Sequence, residues 1–199
     1  MIIVGLGNPG EEYSETRHNA GRMAVSAFEK KHIDGDFEYT KKAQAQVLEG
    51  KVAKEKVTLV LPDTFMNKSG ESVRAFVKFP KQAKKMIVVH DDLDIPLGKF
   101  KVSFNKSSGG HKGVESVIKA VKTQEFYRIR IGVSPATASG KIKKPSGDDL
   151  INNFIVAPFK PKEMEELKAV IKHVVGCLEM AVSDNVDRAM SEYNALSNK

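Results

Sequence analysis

The chain has 199 residues, 41% of them apolar and 29% charged, and a formal net charge of +7, a balance that supports a full hydrophobic core and excludes a disordered polyelectrolyte. No run of 18 or more apolar residues occurs, and the N-terminus opens on a strand pattern with no charged segment ahead of an apolar one, so neither a membrane span nor a signal peptide is expected. Cys177, the single cysteine, rules out an internal disulfide and a multi-cysteine metal site, and its apolar setting reads as a buried, inert thiol.

In chain order, Met1 to Leu6 is a strand pattern, and Gly5-Leu6-Gly7-Asn8-Pro9-Gly10 lies at its end. The glycine spacing fits a dinucleotide-binding turn, which would point to a nicotinamide-dependent oxidoreductase. That turn must open directly into an amphipathic helix, whereas Glu11 to Asn19 carries no apolar stripe, so a long polar loop is expected instead. The first helix is expected over Gly21 to Lys31, with Met23, Ala24, Ala27 and Phe28 on one side. Strands follow at Ala45 to Leu48 and Val57 to Leu61, then a helix at Ser69 to Phe79 and a strand at Met86 to Val89. Lys99 to Phe104 and Arg128 to Val133 are strands on either side of a helix at Gly113 to Val121.

Ser134 to Asp149, rich in Pro, Gly, Ser, Thr and Lys, is expected to be a mobile binding loop. Helices at Pro161 to Ala181 and Asn185 to Leu196 close the chain. Alternation of strands and helices predicts an α/β fold: residues 1–199 as a single three-layer domain, a mixed central sheet flanked by helices. Charge is unevenly spread. Lys99 to Lys144 holds eleven basic residues against Glu115 and Glu125, a local +9, which is the footprint of a polyanion site unless it is merely a solvated face.

Four motifs carry chemistry. They are the glycine-rich opening with Thr16-Arg17-His18-Asn19-Ala20-Gly21, then Pro62-Asp63-Thr64-Phe65-Met66-Asn67-Lys68-Ser69-Gly70, then Asp91-Asp92-Leu93-Asp94-Ile95-Pro96-Leu97-Gly98, and Ser107-Ser108-Gly109-Gly110-His111-Lys112-Gly113. In order and spacing they resemble the bacterial-type peptidyl-tRNA hydrolase family, across nearly the whole chain. The resemblance implies cleavage of the ester between a peptide and the 3′-terminal ribose of tRNA, by a cytoplasmic monomer needing neither cofactor nor metal. His18 suits a general base because an imidazole titrates near neutrality, and a carboxylate on its other nitrogen fixes the tautomer. Asp91, at the end of a strand, is the expected partner, and the resemblance implies the same two roles.

By the same resemblance Asn8 and Asn67 position peptide and water, Tyr13 contacts the terminal ribose or adenine, and Met66 forms an apolar wall. Plainer readings are a turn at Asn8, a helix cap at Asn67 and core packing for Met66. His111 is expected to be structural or to touch substrate. Lys112 departs from the family's Gly-Gly-His-Asn-Gly: a cation that only donates replaces an amide that donates and accepts, so it is expected either to weaken the site or to act as a phosphate or carbonyl ligand itself. Arg130 is expected at the tRNA phosphate with Lys101 or Lys106 as partner, and Lys141, Lys143 and Lys144 along the acceptor stem. His32, His90 and His173 lack ligand spacing. The competing reading is an RNA-binding relative without hydrolase activity.

Overall fold

The computed structural model describes residues 1–137 and 139–197. Seven strands form one mixed sheet: β1 (Ile2–Gly5), β2 (Glu38–Thr40), β3 (Ala45–Val52), β4 (Glu55–Pro62), β5 (Met86–Pro96), β6 (Phe100–Phe104) and β7 (Tyr127–Ser134), in the spatial order β2-β3-β4-β1-β5-β7-β6. The centre is parallel, with β1 between β4 and β5 and β7 beyond β5, while β2, β3 and β6 are joined antiparallel. Helices α1 (Ala20–His32), α2 (Ser69–Val73), α3 (Pro80–Ala83), α4 (Lys112–Val121), α5 (Asp148–Val156), α6 (Pro161–Ser183) and α7 (Val186–Ser197) cover it.

Side-chain alternation along the strands makes the three layers. Ile3, Ile87 and Val89 enter one core with Phe28, Leu167, Val174 and Leu178 of α1 and α6, whereas Val4, Met86 and Val88 enter a second with Val73, Val114 and Val117 of α2 and α4. Each element predicted from periodicity is present, and the α/β class stands. Cys177 lies in the first core, where burial pushes its thiol up to about 12.

Four local differences have physical causes. β2 went unseen because its three residues form an edge with no buried alternation. The helix expected to reach Phe79 loses regular geometry after Val73, and Phe79 is extended because the ring of Pro80 disfavours a helical residue before it. Within the segment expected to be a loop, Ala136 bridges Ile142 and Gly140 donates its N–H to Thr137, and α5 begins at Asp148; Ala138 lies outside the described residues. Helix α5 was not expected, although Leu150, Ile151, Phe154 and Ile155 recur at helical spacing.

After β1 the chain makes no α-helix at Gly10. It turns through φ +107° there into a single 3-10 turn, Glu11–Tyr13, as a polar loop requires and a dinucleotide cradle does not. Helix α1 then packs so closely on the sheet that a Cβ at Gly21 would stand 2.1 Å from the Val89 carbonyl oxygen. The loops after β1 and β4 and the outer half of β5 therefore meet at the carboxyl ends of adjacent parallel strands, where α/β sheets open a crevice.

Candidate active site

His18 follows Arg17 in a buried 3-10 turn, Arg17–Asn19, and Asp91 stands on β5, 2% exposed. Nδ1 of His18 is 2.9 Å from Asp91 Oδ1, and Nε2 of His111 is 2.9 Å from the same oxygen. Burial alone would raise the Asp91 carboxyl, but the imidazoles of His18 and His111 and their hydrogen bonds hold it well below the usual carboxylate range. An ionised carboxylate only accepts, so both ring nitrogens carry the proton and donate.

This fixes the tautomer of each histidine and separates their chemistry. His111 caps α4, its Nδ1 accepting the Val114 N–H at 3.2 Å, so both of its nitrogens are engaged. His18 uses Nδ1 alone, and its Nε2 keeps an unshared pair on a ring that lines a cavity of about 250 Å³. His90, fully buried, donates from Nδ1 to the Asp91 carbonyl at 2.6 Å and packs edge-on against His111. Desolvation, with His111 and Arg128 nearby, holds its pKa well below the ordinary value, so it stays neutral.

The ligand atoms of His18, Asp91 and His111 lie within 4.8 Å of one another, close enough to consider a metal. Metal on Nε2 of His111 would force a proton onto its Nδ1, facing the Val114 N–H that this nitrogen now accepts. The donor set suits two protons better than one cation.

The other expected site residues do not all line the His18 cavity. Asn8 is held by Asn19, which accepts the Asn8 N–H at 2.8 Å and donates to its carbonyl at 3.0 Å, while Asn8 Oδ1 accepts the Met66 N–H at 2.9 Å. Asn8 thus links two motif loops and lines a groove with Arg22, Gln46 and Asp63. Met66 is buried in the second core. Asn67 is exposed and makes no cap for α2; it lines a hollow of about 530 Å³ with Arg74, Ser116 and Lys119. Tyr13 is half-buried on its 3-10 turn, and its carbonyl accepts from Thr16. Lys112 borders both this hollow and the His18 cavity, and its Nζ donates to Asn152 Oδ1 of α5 at 3.2 Å.

The family model described as Peptidyl-tRNA hydrolase matches residues 2–199. The chain belongs to the peptidyl-tRNA hydrolase family. It is 35% identical to the peptidyl-tRNA hydrolase of Thermodesulfovibrio yellowstonii, over 98% of this chain and 100% of that one, and 40% identical to that of Aquifex aeolicus, over 97% and 95%. The crystal structure of the Acinetobacter baumannii peptidyl-tRNA hydrolase superposes with a TM-score of 0.86 at 30% identity, covering 98% of this chain and 94% of that one. Membership in this hydrolase family replaces the oxidoreductase reading of Gly5, Gly7 and Gly10.

Placed on this hydrolase fold, the basic segment is less uniform than its sequence. Arg128 is buried, and desolvation together with Arg130 lowers its guanidinium to about 10, so it faces no solvent polyanion. Arg130 Nε donates to Asp92 Oδ2 at 2.8 Å, and Lys101 is its cross-strand neighbour on β6, with both side chains on one face. Lys106 is exposed just beyond β6. Lys144 donates to Asp94 at 2.6 Å across the His18 cavity, which both line, and Lys141 and Lys143 are exposed in the preceding loop.

Sequence reasoning missed Asn19, Asn152 and the bond that His111, itself expected at the site, makes to Asp91. Asn19 sat in a quoted motif, but its grip on Asn8 depends on the return of the loop. No helix among the described residues is long and apolar enough to cross a membrane.

Proposed function

We propose that this protein is a peptidyl-tRNA hydrolase that frees tRNA from prematurely released peptides, with His18 as general base and Asp91 as its orienting partner. The reading rests above all on Nε2 of His18, the one nitrogen of the Asp91-centred histidines that is both unengaged and on a ring lining a cavity. Nε2 takes a proton from water, and the oxygen attacks the ester carbonyl as the imidazolium forms against Asp91. Collapse of the tetrahedral adduct breaks the bond to the ribose 3′ oxygen, which takes the proton back. The products are a peptide carboxylate and a tRNA with a free 3′-hydroxyl.

His111 positions Asp91, since neither of its nitrogens is open to act on substrate in this tautomer. Asn8, Tyr13, Met66, Asn67 and Lys112 contact the substrate end, and Lys101, Lys106, Arg130, Lys141, Lys143 and Lys144 follow the RNA. The whole chain acts as one domain, a cytoplasmic monomer without cofactor or metal. Incubation of purified protein with peptidyl-tRNA is the decisive test, with release of free tRNA expected. If tRNA were bound and no ester cleaved, the silent RNA-binding reading would replace this one.

A further inference from the structure

Arg17, the residue before the proposed base, has chemistry that the hydrolytic reading does not use. The residue is 4% exposed, rare for an arginine, and it does not line the cavity. Instead Nη1 donates to the carbonyls of Ala157 at 3.1 Å and Pro158 at 3.0 Å, just past the end of α5, and Nη2 donates to Glu163 Oε2 of α6 at 2.7 Å. The guanidinium also lies over the rings of Phe154, 4.3 Å from its centroid, and Phe159, 5.2 Å away. Backbone bonds run beside it, Arg17 N–H to the Ala157 carbonyl and Phe159 N–H to the Glu15 carbonyl.

Helix α5 is the wall of the His18 cavity, contributing Ile151, Asn152 and Ile155. A cation at its carboxyl end is favoured by the helix dipole, and the planar fork of arginine satisfies several acceptors at once where an ammonium would not. We propose that Arg17 is a positioning residue for the hydrolysis: it fastens the turn that carries His18 to the end of α5 and to Glu163, so that base and cavity wall hold one geometry. The inference rests on His18 acting as base. Glu163 also accepts the Lys160 N–H at 2.8 Å, which anchors the start of α6 to the same point.

Arg17→Lys keeps the charge and loses the fork, and Glu163→Gln keeps an acceptor and loses the charge. Val57→Ala, buried at the amino end of β4 and far along the strand from the site, serves as the control for lost stability alone. Each variant is assayed on peptidyl-tRNA well below its melting temperature, and the deshielded proton of the His18–Asp91 hydrogen bond is followed by NMR in the folded protein. Arg17→Lys is expected to lower kcat by up to about 100-fold with little change in KM, as small misplacements of a catalytic group do, and to shift or broaden that resonance. Glu163→Gln should move both readouts in the same direction by less, and it carries the test should Arg17→Lys not fold. Val57→Ala should lower the melting temperature and leave kcat and resonance alone. Wild-type kcat and an unmoved resonance in a folded Arg17→Lys protein would overturn the proposal. Should the wild type cleave no peptidyl-tRNA, the hydrolase reading fails, and an unmoved resonance would still reject the positioning role separately.

Discussion

Two regions of this molecule carry concentrated polar chemistry, and they are built in opposite ways. Around the buried carboxylate of Asp91 three histidines gather, and both nitrogens of His111, Nδ1 of His18 and Nδ1 of His90 are engaged in hydrogen bonds. Of the eleven cations from Lys99 to Lys144, all but the buried Arg128 lie at the surface, with Asp92 beside Arg130, Asp94 beside Lys144 and Glu115 beside Lys119. The buried cluster fixes orientation, because in low dielectric an unmade hydrogen bond is costly and each group must face its partner. The basic surface fixes little by itself. Its exposed pairs contribute small energies and exchange readily for phosphate.

The sharpest break between the two regions is a variant that disables chemistry and spares binding. His18→Ala should lower kcat by about 10²- to 10⁴-fold while tRNA affinity, measured by filter binding, stays near that of the parent. Near-normal turnover in metal-free buffer would remove His18 as the base. Asp91→Asn should lose less turnover.

The buried cluster should also set the response to acid. Asp91 is held below its ordinary value of 3.8, so its contribution to stability is fully present above that pH and is lost progressively as the pH falls below it toward the depressed folded value. His90 is held below 6.5, so the unfolded chain takes up its proton first, and stability begins to fall as the pH drops below about 6.5. Melting temperatures between pH 8 and pH 3 should therefore decline in two stages, and His90→Gln should shrink the upper one, leaving the part due to His32, which desolvation also holds below 6.5. A flat profile through pH 6 would contradict the buried neutral imidazole.

Lys112 stands where the two regions touch. Lys112→Asn restores a group that donates and accepts, and one recovered hydrogen bond at about 0.5 to 1.5 kcal/mol predicts a roughly 2- to 12-fold gain in kcat/KM. A clear loss would mean that Lys112 and its partner Asn152 contact the substrate themselves. The smallest effect is expected at Arg130. Arg130→Glu should weaken tRNA binding and reduce its log-log salt slope by roughly 0.7 to 0.9 for the lost contact. If slope and affinity both held, the RNA would contact some other face.

Much of the site was legible because strand ends and loop motifs are local. Asn8 follows the apolar run of β1 and Asp91 that of Met86 to Val89, though β5 in fact continues to Pro96, while His18 was marked by its motif and the resemblance of that motif to the family. Met66 and His111 sit in motifs beside helix starts that periodicity also marks. Helix α5 could have been read from Leu150, Ile151, Phe154 and Ile155 had the Pro- and Gly-rich stretch before it not masked its start. Edge strand β2 had no such signal, since an exposed three-residue strand takes its place from its neighbour and not from its own pattern.

The sequence by itself determined the α/β alternation, the two apolar faces of the sheet and the identities of the groups near the strand ends, because periodicity and residue chemistry are properties of short segments. Only the tertiary structure decided which nitrogen of each histidine is open, that one Asp91 oxygen serves two rings, and that Arg130 and Lys144 already have acidic partners. His18 and Asp91 are separated by 73 positions and Arg17 and Glu163 by 146. Hydrogen-bond direction and charge pairing depend on distances of a few ångströms between such segments, and those distances exist only once the sheet has brought its loops to one edge.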